Sequence, residues 1–262
     1  MNNSKIYFAS DFHFGIPDYE SSLIREKKFV RWLDMVSKDA TEIYLMGDIF
    51  DFWFEYDTAV PKGYVRLLGK IAEITDAGIP VHIFRGNHDI LAFDYLKKEL
   101  NCSLYRKPVI KEIDGKKFFL AHGDGLGPGD KGYKMLKKVF EFKPNQFLFK
   151  WLHPDIGSRM GLYFSKKSRL ASIEKYMRKP EKIKTNKERL VKYANRKITQ
   201  FPEVDYFIFG HRHIPLQEKI GDKAEIIILG DWLFLFTYGV FENGEMKIKY
   251  FESDKPKLPD FY

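Results

Sequence analysis

Lys5-Ile6-Tyr7-Phe8-Ala9-Ser10-Asp11-Phe12-His13 decides how this chain folds. A β-rich apolar run passes directly into an Asp-x-His pair, and the pattern returns four times. Glu42-Ile43-Tyr44-Leu45-Met46 precedes Gly47-Asp48-Ile49-Phe50-Asp51, and Val81-His82-Ile83-Phe84-Arg85 precedes Gly86-Asn87-His88-Asp89. Lys117-Phe118-Phe119-Leu120-Ala121 leads into His122-Gly123-Asp124, and Tyr206-Phe207-Ile208-Phe209 into Gly210-His211-Arg212-His213. Runs with so few polar residues are expected of strands buried on both faces. Between the early runs lie helical patterns: Leu23, Phe29, Val30, Leu33 and Val36 in one, Val65, Leu67, Leu68, Ile71 and Ile74 in the next. Strand–helix alternation predicts an α/β sandwich. Polar motifs after the strands predict a site at the carboxyl edge of a sheet.

At 262 residues the chain fits one domain, 1–262, carrying an insertion. The insertion is residues 128–200, where the alternation stops and aromatic and basic residues dominate. Val139-Phe140-Glu141-Phe142 and Phe147-Leu148-Phe149-Lys150-Trp151-Leu152 are its most apolar runs, and we read it as a helical cap beside the site. Strands are expected again at 225–229, 233–240 and 246–251, the last two joined at Asn243-Gly244. A mobile tail is expected at 254–259.

The one cysteine, Cys102, excludes an internal disulfide and points to a reducing compartment. No basic segment followed by a long apolar stretch opens the chain, so a secretory leader is not expected. The most apolar window, 226–236, is broken by Gly230-Asp231 and is too short to span a bilayer. The net charge of +8 gathers within 134–197, in residues such as Lys166, Lys167, Arg169, Lys175, Arg178, Lys179, Lys182, Lys184 and Lys187. Such a cluster suits nucleic acid, anionic lipid headgroups or an anionic substrate, and equally a solvated helical face. Composition does not choose among them.

Aspartate, histidine and asparagine in turns after strands suit divalent manganese, iron, zinc or magnesium. Structural zinc prefers closed, cysteine-rich sets, and Cys102 lies outside every motif. A carboxylate shared by two metals is the usual arrangement for in-line attack at phosphorus, and the metals make hydroxide available near neutral pH. Asp48 is placed to bridge, His13 and His213 offer ring nitrogens, and Asn87 offers a neutral oxygen. His82, on an apolar run, reads as a packed core histidine, and His153, before Pro154, as a turn or surface residue.

The constellation resembles the calcineurin-like metallophosphoesterase superfamily over residues 11–213. The resemblance implies an α/β/β/α sandwich with the helical cap inserted. It assigns one metal to Asp11, His13, Asp48 and His213, and the other to Asp48, Asn87, His122 and His211, with Asp48 bridging. Beside Asn87, His88 matches the histidine that stabilises the phosphoryl transition state or protonates the leaving oxygen. Asp51 and Asp89 would orient imidazoles by hydrogen bonds.

A second resemblance narrows the substrate. Residues 122–133, ending in Asp130-Lys131-Gly132-Tyr133, are similar to the segment leading into the cap of UDP-2,3-diacylglucosamine hydrolases, as are Gly47-Asp48-Ile49-Phe50-Asp51 and Gly230-Asp231-Trp232. That family cleaves the pyrophosphate of its lipid nucleotide to UMP and 2,3-diacylglucosamine 1-phosphate. The resemblance implies a metal-activated hydroxide in a two-metal site, Mn²⁺ as the metal, and a cytoplasmic enzyme, peripheral on the inner face of the bacterial inner membrane. Tyr133 matches a substrate-contacting tyrosine, and Arg159, Lys166 and Arg169 are the cap candidates for phosphate or sugar. An apolar cap suits acyl chains, and its basic residues suit an anionic membrane surface. Nucleic acid is disfavoured because the basic residues interleave with apolar ones and no stacking platform is visible. No obligate protein partner is inferred. One departure stands out: well-known members carry arginine where this chain has His88. Arginine clamps a pyrophosphate bidentately, whereas histidine donates a proton at neutral pH. That difference keeps open a soluble phosphodiesterase or phosphatase for a nucleotide or small phosphoester.

Overall fold

In the computed structural model of the protein, strands β1 (Ile6–Ala9), β2 (Glu42–Leu45) and β3 (Val81–Phe84) are buried almost throughout. This is what their unbroken apolar runs require. The structure describes residues 4–127, 129, 131–178 and 188–252, with the backbone alone for 168–178. The tail expected at 254–259 lies outside the described residues, as do Lys179, Lys182, Lys184 and Lys187 and the side chains of Arg169, Lys175 and Arg178.

Helices α1 (Tyr19–Val36), α2 (Val65–Asp76) and α3 (Tyr95–Leu100) connect β1, β2, β3 and β4 (Ser103–Tyr105) as parallel neighbours. Next come β5 (Val109–Ile113) and β6 (Lys116–Leu120), then α4 (Lys131–Glu141), α5 (Lys143–Lys150), α6 (Pro154–Arg178) and α7 (Arg189–Lys197). The chain ends in β7 (Tyr206–Phe209), β8 (Pro215–Ile220), β9 (Ala224–Leu229), β10 (Thr237–Glu242) and β11 (Glu245–Tyr250). Two sheets result, ordered β11-β10-β1-β2-β3-β4 and β5-β6-β7-β9-β8.

Three apolar layers hold the sheets and helices together. Phe29, Trp32, Leu33, Leu67 and Ile71 of α1 and α2 pack on Ile43, Leu45, Val81 and Ile83. Phe8, Tyr44 and Phe84 of the first sheet meet Phe118, Ile208 and Ile227 of the second. Phe119, Phe207 and Ile226 point the other way, onto Leu190, Val191 and Ala194 of α7. The period-two alternation of β6 and β7 thus serves two cores at once, and the architecture is the expected α/β/β/α sandwich.

The structure refines two expectations. Helix α7 falls within the segment read as the cap, yet its apolar face belongs to the core of the sandwich. The strand expected from 233 begins at Thr237, because Asp231 Oδ1 accepts the N–H groups of Leu233, Phe234 and Leu235 and folds them into a turn. Among the described residues no helix is long and apolar enough to cross a membrane.

Candidate metal centre

Every motif turns sharply as its strand ends. Asp11, His13, Asp48, His211 and His213 all have positive φ, between 46° and 66°, which non-glycine residues seldom adopt. Such strain persists where surrounding contacts over-determine it, and it gathers at functional sites. The contacts are visible here. Asp11 N donates to Gly47 O at 3.1 Å, His13 N to Asp48 O at 2.9 Å, and Gly210 N to His122 O at 2.9 Å. Two glycines allow the loops to close this tightly. A Cβ on Gly86 would lie 2.1 Å from Asp48 Oδ1, and one on Gly210 would lie 2.6 Å from Asp11 Oδ2.

Among the described residues the turns bring together three groups that could hold a metal, each with candidate donor atoms within 4.8 Å of one another: Asp11, His13 and His213; His13, Asp51 and His88; and Asp48, His122 and His211. Asp48 Oδ2 lies between the first group and the last, 3.6 Å from His13 Nε2 and 3.4 Å from His122 Nε2. Asp11 Oδ1 lies 3.5 Å from His213 Nε2 and 3.9 Å from His13 Nε2. Asn87 follows β3 at the same edge, and the next residue's N–H, on His88, donates to Asp48 Oδ1 at 2.9 Å.

Three buried atoms test whether a cation fits. Asp11 Oδ1, Asn87 Oδ1 and His122 Nε2 have no hydrogen-bond partner within normal geometry among the described residues. A buried polar atom left unpaired costs about 1–3 kcal/mol. Two carboxylate or amide oxygens and an imidazole nitrogen are ordinary donors to a divalent metal, so the donor set fits such ions.

The imidazoles are aimed from behind. His122 Nδ1 donates to Met46 O at 2.8 Å, which turns Nε2 toward Asp48. His13 Nδ1 lies 3.3 Å from Asp51 Oδ1, and His213 Nδ1 lies 3.5 Å from Asp231 Oδ2. A carboxylate behind a ligating imidazole fixes its tautomer and orientation. Sequence reasoning missed Asp231 in this role, although Gly230-Asp231-Trp232 marks the end of an apolar run. Asp89 also braces the backbone. It accepts Ile49 N at 2.8 Å and Gly86 N at 2.5 Å, tying two motif loops together.

The buried imidazoles and carboxylates perturb one another strongly. Burial opposes charge on His122, but the Asp48 carboxylate outweighs it and pushes the pKa up to about 10. Burial and the charge on His122 push His211 down to about 3. Burial also opposes ionisation of Asp48, yet the surrounding imidazoles hold it well below the usual carboxylate range. Burial and the Asp48 charge raise Asp89 to about 6.

Around this centre the remaining candidates divide. His88 is partly exposed, packs edge-on against His13 at 4.7 Å, and places Nδ1 3.0 Å from Asp51 O. Tyr133 Oη donates to Asp124 Oδ2 at 2.5 Å, beside Lys137 Nζ at 2.7 Å. Arg159 and Lys166 are exposed on α6. His82 is buried and bonded to Glu42 Oε2 at 2.8 Å, a core histidine with a partner. His153 is exposed before α6, where its Nδ1 accepts Asp155 N at 3.3 Å.

Adjoining histidine–carboxylate groups on the strand ends of an α/β/β/α sandwich define a metal-dependent phosphoester hydrolase. Residues 4–215 match the family of calcineurin-like phosphoesterases, and the chain belongs to it. Curated relatives share most of its length. A UDP-2,3-diacylglucosamine hydrolase of Porphyromonas gingivalis (strain ATCC BAA-308 / W83) is 34% identical over 257 residues, 95% of this chain and 98% of the relative. Enzymes of the same name from Histophilus somni (strain 129Pt) and Aeromonas hydrophila subsp. hydrophila are 27% and 26% identical. They cover 87% and 92% of this chain, and 92% and 96% of their own.

Proposed function

We propose that this protein hydrolyses the pyrophosphate bond of UDP-2,3-diacylglucosamine, releasing UMP and 2,3-diacylglucosamine 1-phosphate. The observation that carries this reading is the 34% identity to a hydrolase of that name, end to end across both chains. In this reading Asp11, His13, Asp48 and His213 hold one divalent ion, and Asp48, Asn87, His122 and His211 hold the other, with manganese as the metal. When bound, such ions supply an acidified water and Lewis acidity toward the phosphoryl oxygens.

The protein's own groups do the rest. Asp51 and Asp231 hold His13 and His213 so that their Nε2 atoms converge. With Nδ1–H directed at the Asp51 carbonyl, His88 carries a proton on Nε2 only as the imidazolium, and that proton goes to the leaving phosphate oxygen. Asn87 presents an uncharged oxygen, which leaves more of the metal charge for the substrate. Tyr133, with its hydroxyl committed to Asp124, offers its ring to the substrate. Arg159 and Lys166, seven residues apart on α6, share a helical face for the sugar or phosphates, and Arg169 is assigned to the same task.

Exposed apolar side chains of α4 to α6, among them Met135, Phe147, Leu148, Trp151, Tyr163 and Phe164, support a role in holding acyl chains. With the basic residues among them, they support a peripheral place on the anionic, cytoplasmic face of the inner membrane. Incubation of manganese-loaded protein with UDP-2,3-diacylglucosamine is expected to release UMP. Cleavage of small phosphodiesters alone, with no UMP formed, would defeat the assignment. Co-sedimentation with phosphatidylglycerol vesicles should fall when Phe147 and Trp151 are changed to serine. Failure of the parent protein to co-sediment with these vesicles would remove the membrane from the reading.

A further inference from the structure

Helix α6 meets the sandwich through its smallest residues. Gly157, Gly161 and Ser165 recur every four positions and share one helical face. A Cβ on Gly161 would sit 2.3 Å from the Phe52 ring, and one on Gly157 would sit 2.1 Å from Tyr56 Oη. Glycine inside a helix costs about 1 kcal/mol relative to alanine, so this register serves close approach rather than helix formation. What the approach delivers is Ser165. Its hydroxyl donates to Asp51 Oδ2 at 2.5 Å, and its Oγ lies 3.0 Å from His88 Nδ1. With the O–H directed at the carboxylate, an Oγ lone pair is left for Nδ1–H, which the Asp51 carbonyl also accepts at 3.0 Å. Asp51 Oδ1 completes the set, 3.3 Å from His13 Nδ1 and 3.6 Å from His88 Nδ1.

We propose that Ser165 is a positioning residue for the hydrolysis: carried in by the inserted helix, its hydroxyl fixes Asp51 and the imidazole of His88, so that the catalytic arrangement is complete only while α6 lies on the loop at 51–56. This rests on the reading of His88 as the group serving the leaving oxygen. Helix α6 then does more than border the substrate. Lifted away, it takes the Ser165 hydroxyl from both the His88 ring and Asp51 Oδ2.

A double-mutant cycle on UMP release tests it, with Ser165→Ala, Ser165→Thr, His88→Ala and the Ser165→Ala/His88→Ala pair. Metal content and melting temperature confirm that each variant is folded and loaded. Ser165→Ala is expected to lower kcat about tenfold with KM within about twofold, since a misplaced proton donor costs rate rather than binding. Ser165→Thr should restore most of the loss, and Ser165→Ala should cost nothing further once His88 is gone. Additive losses in the pair, or a rise in KM at unchanged kcat, would overturn the proposal. An unimpaired His88→Ala overturns it together with the reading of His88. If the parent releases no UMP, the substrate assignment fails by itself, and the same cycle on a phenyl phosphodiester that it cleaves decides for Ser165.

Discussion

Asp231 shows how one buried carboxylate can shape both backbone and chemistry. Its Oδ1 gathers three N–H groups and makes a turn, while Oδ2 stands behind His213. Burial opposes its charge, but His213 and those N–H donors prevail and hold its pKa below the usual carboxylate range. Asp231→Asn keeps an oxygen for the turn and loses the charge that fixes His213. We expect metal affinity on the His213 side to weaken about 10–100-fold, read by titrating manganese into the apo-protein. Equal affinity in parent and variant would show that the turn, not the imidazole, is what Asp231 serves. The residues that gather at the centre were legible in sequence, because few residue types bind metal and each motif follows an apolar run. Their supports were not. His122 leans on Met46, and His213 on a residue beyond a further strand pair, and no local periodicity encodes contacts across such separations.

Strands β1, β2, β3, β6 and β7 announced themselves because burial on both faces leaves no room for polar alternation. Strand β8 was missed, since its run Gln217-Glu218-Lys219, exposed at Gln217 and Lys219, reads as irregular. Helix α6 was recognised as helix, but the meaning of its glycines needed the Phe52 ring opposite. Gly161→Ala sets two effects against each other. Alanine favours the helix by about 1 kcal/mol, whereas overpacking costs about 1–3 kcal/mol unless the ring moves. A methyl 2.3 Å from the Phe52 ring makes overpacking the larger effect. The variant should lower kcat as Ser165→Ala does, and amide exchange across α6 should quicken. Parental kcat with slower exchange would mean that Phe52 yields and that the glycine is not needed for approach.

The whole sandwich is strained at one end and fastened at the other. Charge, positive φ and unpaired atoms collect at the carboxyl ends of the strands, where the site is. At the opposite rim Glu42 of β2 accepts from Tyr44 at 2.5 Å and pairs with His82 of β3 at 2.8 Å. Lys111 of β5 donates to Tyr44 Oη at 3.0 Å, so the cluster ties the first sheet to the second. The hydrogen bond from His82, against the cost of burial, holds Glu42 below its ordinary value of 4.5. A carboxyl depressed by folding stabilises the native state above its unfolded pKa and loses that contribution as pH falls through the folded value. Glu42 is about one-third exposed, so screening limits the worth of the pair to about 0.5–1 kcal/mol. For a chain of this size that corresponds to a melting shift of roughly 1–4 °C. Glu42→Gln should therefore melt below the parent at pH 7, when both are measured with chelator so that metal binding does not intervene. The gap should persist down to about pH 5 and close as the solution passes below the carboxylate range. A gap that stays constant to pH 3 would mean that packing at this rim, and not the charge on Glu42, joins the two sheets.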